Sequence, residues 1–566
     1  MPAVLGINCS GFHSSACIVA ERLIRSAITE ERLSRIKRDK SFPLKAIRYC
    51  CETAGLELSQ ITDVFIGWNP AFYFHKTDHV FHDAMQNRGK LSYLALNELA
   101  SLRPTTPKTV RHEIETLDSN WRIHFVDHHK AHLANGFLQS GFQDSDFLIA
   151  DGFGEMSAGF TGTVTEEKIT EFSVNRTPHS LGLFYSTFTE FVGFTPNSDE
   201  WKIMALASLG NPDEYYDVIR SMIKVQGLRY ELDLSYFENF LFFTPNTYSQ
   251  KLVELLGPPV TPGQQIGKRE HDIVAAVQRV VEDVSFELLG NLYQKTNNDR
   301  LIVGGGFFMN SVLNGKICSQ TPYKEVFIGG SPDDSGVAIG SALFGNHYVL
   351  GERLKLGQAE HNFFGRIYTD EEIEGELIKR KIRCKRMENP AFVCARYVKD
   401  GKIVAWFQGA SEFGQRALGN RSILADPTHP GTKDLINAHV KYREPFRPFA
   451  PAVLDEKQNE LFIMNGNPHS LFMERVVPFQ EEWKKRVPAV VHFDGSGRLQ
   501  TVKRNSNPRF YDVIVEFEKL SGCPVVLNTS FNISGMPLVE SPGDAIDCFF
   551  RSGIDTLIMN DFLIEK

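Results

Sequence analysis

Two histidines of the sequence lie four residues apart in the run Val126-Asp127-His128-His129-Lys130-Ala131-His132. Asp127 is of a type that caps helices, so the run predicts a helix start with His128 and His132 on one face. Two imidazoles placed in this way can bind one metal ion. A polar helix start with incidental histidines would produce the same pattern, so the spacing alone does not decide between them.

Two aspartates, Asp151 and Asp334, each follow a predicted buried strand. Carboxylates at the ends of strands in an open α/β sheet face the ligand crevice, so these two can join His128 and His132 in one site. Two histidines and two carboxylates suit Fe(II), Mn(II) or Mg(II) more than a structural zinc. Taken alone, each aspartate is more typical of a turn.

Glycines follow two of the predicted strands, at 152–154 and at 304–306. Without a Cβ atom the backbone can approach phosphates or an adenine ring closely, although glycine after a strand usually makes only a turn. Together with the loop after the first strand, this is the layout of an actin-like nucleotide site. The predicted nucleotide-binding residues are Asn8, Gly152, Gly154, Gly305, Gly306 and Asn310.

A basic cluster lies further along the chain, where Arg416 is followed by Lys441, Arg443 and Arg447. These cations alternate with glycine, proline and aromatic residues rather than forming a clean polar helix face. Guanidinium groups can bind phosphate or carboxylate oxygens in a bidentate way, whereas most charge runs are solvated surface. A predicted strand over 525–527 then leads to neutral donors that could lie beside the cations, Asn528, Ser530 and Asn532.

Apolar periodicity predicts an α/β protein with two domains. Apolar runs over 2–8, 15–20 and 23–29 predict the opening strands of an actin-like or sugar-kinase-like fold. Further strands are expected over 146–150, 300–303 and 325–329, and helices over 43–55, 270–295 and 337–349. The alternation fades at 351–364 and resumes with a helix over 370–380 and a strand over 403–406. We therefore predict domains over residues 1–355 and 356–566.

Composition narrows the function classes. The 566 residues carry a net charge of -8 and have a pI of about 6.1, which disfavours nucleic acid as the main partner. Nine scattered cysteines do not suggest a disulfide framework. The N-terminus lacks the basic and apolar segments of a signal peptide or a membrane span, so we expect a cytoplasmic enzyme that does not bind membranes.

The order of these motifs resembles the NodU and nebramycin-synthase type of O-carbamoyltransferase over essentially the whole chain. Further matching segments are 30–37, 416–419 and 447–451. The resemblance implies an actin-like (ASKHA, Kae1-like) N-terminal domain and an α/β YrdC-like C-terminal domain. The Lys-x-Arg and Ser-x-Asn signature of YrdC-type domains corresponds to Lys441, Arg443, Ser530 and Asn532.

The resemblance implies a chemistry as well. The C-terminal domain would form carbamoyl-adenylate from ATP and carbamoyl phosphate. The residues expected to bind these two substrates are Arg416, Lys441, Arg443, Arg447, Asn528, Ser530 and Asn532. The N-terminal domain would pass the carbamoyl group to a small-molecule hydroxyl in natural-product or antibiotic biosynthesis. His13 would be the general base and Lys37 would stabilise developing charge. Iron(II) would be the expected metal, with Mn(II) or Mg(II) as alternatives, and the enzyme would be a monomer or a homodimer.

The sequence departs from the family at one place and leaves other functions open. A glycine-lysine pair common in the family is replaced by Trp201-Lys202, and residues 69–104 match no motif and would form either an acceptor pocket or a helical insertion. The alternatives are an actin-like kinase, a tRNA-modifying enzyme and a non-catalytic binding module. Release of ADP rather than AMP would favour the kinase.

Overall fold

The computed structural model describes residues 3–10, 12–69, 121–239, 244–354, 357–444 and 446–566. Its first sheet contains β1 (Ala3–Asn8), β2 (Ser15–Ala20), β3 (Leu23–Thr29), β4 (Ile61–Ile66) and β5 (Arg122–Phe125). The strand order is β3-β2-β1-β4-β5. The β1–β2 and β2–β3 pairs are antiparallel, whereas β1–β4 and β4–β5 are parallel.

The second sheet repeats this topology. Its strands, with the separate hairpin β9–β10 between them, are β6 (Asp144–Ala150), β7 (Ser157–Thr165), β8 (Ile169–Arg176), β9 (Ile223–Gln226), β10 (Arg229–Leu232), β11 (Arg300–Gly304) and β12 (Glu325–Ile328). The order β12-β11-β6-β7-β8 again joins an antiparallel meander to two parallel strands. Two such sheets in one chain form the duplicated actin-like architecture, which confirms that part of the predicted fold.

Ten α-helices are described in this N-terminal part. They are α1 (Glu30–Ser34), α2 (Leu44–Ala54), α3 (His128–Phe137), α4 (Leu181–Phe191), α5 (Glu200–Leu206), α6 (Tyr216–Arg220), α7 (Gln250–Leu256), α8 (Lys268–Thr296), α9 (Ser311–Gln320) and α10 (Val337–Phe344). The predicted helix over 337–349 becomes a π-turn after Phe344. Helix α10 packs so closely on α3 that a Cβ atom on Gly340 would lie 1.9 Å from the Ala131 carbonyl oxygen.

The C-terminal part is built on one nine-stranded mixed sheet of order β13-β21-β20-β14-β15-β19-β16-β18-β17. The strands are β13 (Lys385–Arg386), β14 (Val404–Phe407), β15 (Arg421–Ala425), β16 (Ala450–Leu454), β17 (Arg475–Pro478), β18 (Ser496–Val502), β19 (Val525–Ser530), β20 (Thr556–Met559) and β21 (Phe562–Glu565). The helices are α11 (Asp370–Lys379), α12 (Pro390–Lys399), α13 (Thr432–Ile436), α14 (Gln458–Leu461), α15 (Glu481–Arg486), α16 (Pro508–Ser521) and α17 (Pro542–Phe550). The expected α/β class is confirmed for this part too.

Side chains of each part donate to backbone carbonyls of the other. The Arg32 guanidinium donates to Gly414 O at 2.8 Å, and Arg475 donates to Val326 O at 2.7 Å. Asn314 Nδ2 donates to Glu474 O at 2.9 Å. The predicted domain boundary at 355/356 falls on two residues outside the described part, and it stays a prediction. Most of segment 69–104 also lies outside the described residues.

Among the described residues, no helix is both long enough and apolar enough to cross a lipid bilayer.

The contact between the two parts predicts the effect of one substitution. A Cβ atom on Gly315 of α9 would lie 1.9 Å from the Val476 carbonyl oxygen of β17. We expect Gly315→Ala to lower the free energy of unfolding by about 1–3 kcal/mol, because a backbone atom cannot move aside as a side chain can. Chemical denaturation measures the change. Gly290→Ala is the control, because its Cβ atom meets nothing within 4 Å and should stabilise helix α8 by up to about 1 kcal/mol. A Gly315→Ala protein as stable as the control would contradict this packing.

Candidate active site

The four predicted metal ligands lie together where the actin-like strands end. His128 and His132 occupy successive turns of α3, and Asp151 directly follows β6. Asp334 begins the short 3-10 turn after β12. The fold therefore brings together side chains that are up to 206 residues apart in the sequence, and Asp151 and Asp334 reach the wall of a large cavity.

The donor atoms of these side chains converge on one point. The Nε2 atoms of His128 and His132 are 3.1 Å apart, and Asp151 Oδ2 lies 3.2 and 3.0 Å from them. Asp334 Oδ1 lies 3.5 and 3.6 Å from the same two nitrogens. Donors that share an ion at about 2.1 Å are roughly 3.0–3.4 Å apart, so this arrangement fits one divalent cation.

Neighbouring groups fix the orientation of these ligands. His128 Nδ1 lies 3.1 Å from Gly67 O, so a proton on Nδ1 leaves Nε2 free for a metal. The backbone N–H of Gly152 donates to Asp151 Oδ1 at 2.7 Å. Asn8 Nδ2 donates to the Asp334 carbonyl oxygen at 2.9 Å and to Phe12 O at 2.7 Å. Asn8 therefore fixes the loops that carry Asp334 and His13.

The electrostatics of the metal-free chain agree with a cation site. Burial alone would lower the pKa of His128, but the charges of Asp334 and Asp151 raise it well above its ordinary value. Burial raises the pKa of Asp151, but its hydrogen bonds with both histidines bring it well below the ordinary value. The two carboxylates thus hold a positively charged histidine between them. A divalent ion bound at this site would take the place of that charge. By contrast, burial and the neighbouring His128 lower the pKa of His129 to about 3.

The two predicted catalytic residues lie on the cavity wall. His13 has a left-handed backbone with φ 48°, and its Nδ1 lies 3.3 Å from Nε2 of Gln415 in the C-terminal part. The same Gln415 amide donates to Asp333 Oδ2 at 3.0 Å. Lys37 Nζ lies 3.0 Å from Glu31 Oε1. His13 is therefore held between the two parts of the chain.

The predicted nucleotide-binding residues divide into two groups. Gly152, Gly306 and Asn310 line the cavity, and Asn310 also caps helix α9 by accepting from Leu313 N at 3.1 Å. Gly154 and Gly305 do not line it. A Cβ atom on Gly154 would lie 2.7 Å from the His129 ring, and one on Gly305 would lie 2.1 Å from Ala150 O. Like Asn8, these two residues support the wall from behind.

The cationic cluster of the C-terminal part faces the same cavity. Arg416, Arg443 and Arg447 line it, as do the neutral residues Asn528, Ser530 and Asn532. Burial lowers the pKa of Arg416 to about 10, even though Asp333 opposes the shift. Burial, assisted by the charge of Arg447, lowers the pKa of Arg443 to about 9. Positive charge therefore lies in this wall with too little negative charge beside it.

Lys441 has a different position from the arginines. It is 3% exposed and does not line the cavity. Its Nζ donates to Ser530 Oγ at 3.2 Å, to Asn532 O at 3.0 Å and to Asn532 Oδ1 at 2.8 Å. The Lys-x-Arg and Ser-x-Asn segments thus bind to each other. In this state Lys441 fixes the Ser530–Asn532 loop.

Sequence reasoning missed Arg498 and Gln415. Arg498 of β18 lines the cavity and donates to Ser311 Oγ of α9 at 2.7 Å. Burial and the charge of Arg416 bring its pKa well below the ordinary value. One feature of the sequence could have singled out Arg498. It is the only charged residue of the strand Ser496–Val502. Gln415 precedes the singled-out Arg416, but nothing in the sequence indicates its partner His13.

Both clusters open into one cavity of about 1160 Å³. Its wall runs from Asp151, Asp334 and His13 in the N-terminal part to Arg416 and Arg443 in the C-terminal part. A small-molecule site usually has a volume of about 300–1,000 Å³, so this cavity has room for more than one ligand.

The metal site generates a test. His132→Ala removes one of four ligands and should weaken binding of a divalent ion by more than about 10-fold, because even outer-sphere changes have effects of that size. Elemental analysis after dialysis measures the bound metal. His429→Ala is the matched control, because the His429 side chain is 63% exposed and lies elsewhere in the C-terminal part. Full metal content in His132→Ala would exclude the proposed ligand set.

Two family models cover most of the chain. The description "Carbamoyltransferase N-terminus" belongs to the model that matches residues 3–343, and "Carbamoyltransferase C-terminus" to the one that matches residues 395–566. The first match spans the actin-like part, and the second covers most of the nine-stranded sheet.

The chain is also similar to individual proteins. An uncharacterized protein of Synechocystis sp. is 34% identical over 100% of this chain and 97% of its own length. Nodulation protein NolNO of Sinorhizobium fredii is 33% identical, covering 98% of this chain and 78% of its own. The crystal structure of full-length HypF in its phosphate- and nucleotide-bound form superposes with a TM-score of 0.31 and 12% identity, over 61% of this chain and 55% of that one. The family models and the sequence relatives confirm the resemblance seen in the motifs, and the chain belongs to the carbamoyltransferase family of enzymes.

Proposed function

We propose that this enzyme is an ATP-dependent O-carbamoyltransferase that makes carbamoyl-adenylate and passes its carbamoyl group to a small-molecule alcohol. The observation that carries the proposal is the single cavity that joins the guanidinium cluster to the His13 and Asp151–Asp334 end. Carbamoyl transfer needs an activated carbamoyl donor. The guanidinium end of the cavity suits activation, and the His13 end suits transfer.

The guanidinium wall supports binding of polyanions. Arg416, Arg443, Arg447 and Arg498 line the cavity, and burial lowers the pKa of each of them. Buried positive charge is costly unless an anion compensates it. The phosphates of carbamoyl phosphate and ATP carry the opposite charge, and guanidinium groups match phosphate geometry.

Activation of the carbamoyl group would take two chemical steps. Water and carbamoyl phosphate give carbamate and phosphate, and a carbamate oxygen then attacks the α-phosphorus of ATP to release pyrophosphate. The new P–O bond joins the carbamate oxygen to AMP, so AMP can leave during the later transfer step. Carbamate itself has no comparable leaving group. The arginines would neutralise charge on the phosphate oxygens during both steps. Asn528, Ser530 and Asn532 would add neutral contacts at the same end of the cavity.

Transfer would occur at the other end of the cavity. His13 would accept the proton of the acceptor hydroxyl, whose oxygen attacks the carbamoyl carbon and releases AMP. Lys37 would compensate charge that develops on the carbonyl oxygen or on the phosphate. His128, His132, Asp151 and Asp334 would hold a divalent ion, with Fe(II) preferred over Mn(II) or Mg(II), which supplies Lewis-acid charge compensation when it is bound.

The acceptor is proposed to be a small biosynthetic alcohol of natural-product type. The volume of the cavity supports a small-molecule acceptor beside the other substrates, since it exceeds the usual range of about 300–1,000 Å³ for one small-molecule site. A kinase reading of the actin-like fold makes a different prediction, because it would release ADP. Incubation with ATP, carbamoyl phosphate and candidate alcohols should yield AMP, pyrophosphate and phosphate, with a mass gain of one carbamoyl group on the acceptor. Formation of ADP without that mass gain would exclude the proposal.

Separation of the two half-reactions tests the cationic wall. Arg443→Met should slow pyrophosphate release by about 100-fold or more, because it removes a charge that would face phosphate. Transfer from chemically prepared carbamoyl-adenylate should keep its normal rate. Arg396→Met is the control for losing an arginine of the same part, since Arg396 is exposed and does not line the cavity. Equal loss of both half-reactions in Arg443→Met would reject this division of labour.

His13→Asn tests the transfer end of the cavity. Asparagine retains a hydrogen-bonding group but cannot act as a base, so acceptor carbamoylation should fall by about 10²–10⁴-fold. Pyrophosphate release should continue, with AMP accumulating as the intermediate hydrolyses. Product analysis by mass spectrometry measures the ratio of carbamoylated acceptor to AMP. An unchanged ratio would remove His13 from the reaction.

A further inference from the structure

Helix α5 of the N-terminal part reaches the cationic wall of the C-terminal part. The guanidinium carbon of Arg447 lies 3.7 Å from the centre of the Trp201 ring. Lys202 Nζ lies 3.1 Å from Glu444 Oε1 and 3.2 Å from Asp199 Oδ2. Both Trp201 and Arg447 line the cavity. The two members of the Trp201-Lys202 pair therefore each contact the loop that carries Arg447.

The surroundings of Arg447 leave donors for a ligand. Its Nη1 lies 3.5 Å from Glu444 Oε2, which is a long ion-pair distance. Its Nε is buried and has no hydrogen-bond partner within the described part of the chain. The contact with the face of the Trp201 ring uses no N–H group of Arg447, so the part of the guanidinium that reaches the cavity can bind an anion that enters it.

Lys202 affects Arg447 through the shared carboxylate of Glu444. Glu444 is closer to Lys202, at 3.1 Å, than to Arg447, at 3.5 Å. Burial raises the pKa of Glu444, but its own backbone and Lys202 bring it below the ordinary value, so the carboxylate is ionised. Without Lys202, this negative charge would have Arg447 as its nearest described cation and would compete with phosphate for it.

We propose that Trp201 and Lys202 are positioning residues for Arg447, and that the N-terminal part thereby completes the activation site of the C-terminal part. Trp201 sets the plane of the guanidinium group, and Lys202 keeps Glu444 from neutralising it. The inference rests on the proposed function, because it assigns Arg447 to the phosphates of ATP or carbamoyl phosphate.

The same segment is anchored toward the transfer end. Arg38 Nη2 donates to Ser198 O at 2.6 Å and Nη1 donates to Ser198 Oγ. Arg38 directly follows Lys37, and its backbone N–H donates to Glu31 Oε2 at 2.7 Å. Hydrogen bonds of Arg38 therefore connect the segment that leads into Trp201 with the loop of Lys37.

The first experiment measures ATP–pyrophosphate exchange that depends on carbamoyl phosphate, in the full-length enzyme. Trp201→Leu should raise the KM for ATP or carbamoyl phosphate by about two- to thirty-fold with little change in kcat, which is the range expected for a lost cation–π contact. The KM that rises identifies which phosphate Arg447 binds. Trp201→Phe keeps an aromatic face and should recover most of the loss. Transfer from prepared carbamoyl-adenylate should stay at the wild-type rate.

Lys202→Met should raise the same KM, whereas Lys202→Arg should not. The control is Lys251→Met. Lys202 lies 4.9 Å from the centre of the Phe194 ring, and Lys251 likewise lies over an aromatic ring, at 3.9 Å from the centre of Tyr236, but its carboxylate partner is Asp233 rather than Glu444. A rise in KM with the control as large as with Lys202→Met would overturn the role of Lys202.

A double-mutant cycle decides whether Trp201 acts through Arg447. In an Arg447→Ala enzyme, Trp201→Leu should cause no further rise in KM, because the group it positions is gone. A full additional rise would overturn the inference and would make Trp201 a merely structural residue. If the wild-type enzyme shows no exchange at all, the proposed function fails first. If the wild type exchanges and Trp201→Leu exchanges equally well, only the positioning role fails.

Discussion

Positive charge buried in the cavity wall is the constraint on which the rest of the structure depends. Burial lowers the pKa of three arginines in this wall, Arg416, Arg443 and Arg498, and few carboxylates lie near them. Taking such a charge out of water costs several kcal/mol, and separating the two parts would restore hydration. The contact between the parts must therefore be stabilised elsewhere. Backbone packing of Gly315 on Val476 and the hydrogen bonds of Arg32 and Arg475 to carbonyl groups supply that stabilisation.

The sequence predicts best those features whose signals lie close together along the chain. His128 and His132 lie on successive turns of one helix, and Asp151 and Asp334 follow predictable strands, so spacing and strand-end position were enough to predict that these side chains lie together. The apolar runs of the first three strands were enough to indicate the actin-like class, but β4, β5, β7 and β8 and the duplicated strand order were not predicted. Lys441 was expected to bind the phosphates of ATP or carbamoyl phosphate. Nothing in the sequence around it indicates that Ser530 and Asn532 surround its ammonium group.

The residues that escaped prediction act across the contact between the parts. Arg498 meets Ser311, Gln415 meets His13, and Trp201 meets Arg447. Each pair joins residues at least 187 positions apart, and no periodicity or spacing connects them. Trp201 and Lys202 were visible only as a departure from the family pattern. The structure gives that departure a physical reason, since both side chains contact the Arg443–Arg447 loop or its carboxylate.

The two ends of the cavity differ in charge, and this difference bears on the order of events. At one end, Asp151 and Asp334 would repel a phosphate group unless positive charge lies between them. At the other end, the arginines attract it. In the metal-free chain the raised pKa of His128 places that positive charge between the carboxylates, and a divalent ion held by the two histidines and two carboxylates would supply it in their place. The arginines of the C-terminal wall have too few carboxylates beside them, so their charge would be compensated by an incoming phosphate. Phosphate groups would therefore bind first at the C-terminal wall, which agrees with activation preceding transfer in the proposed function.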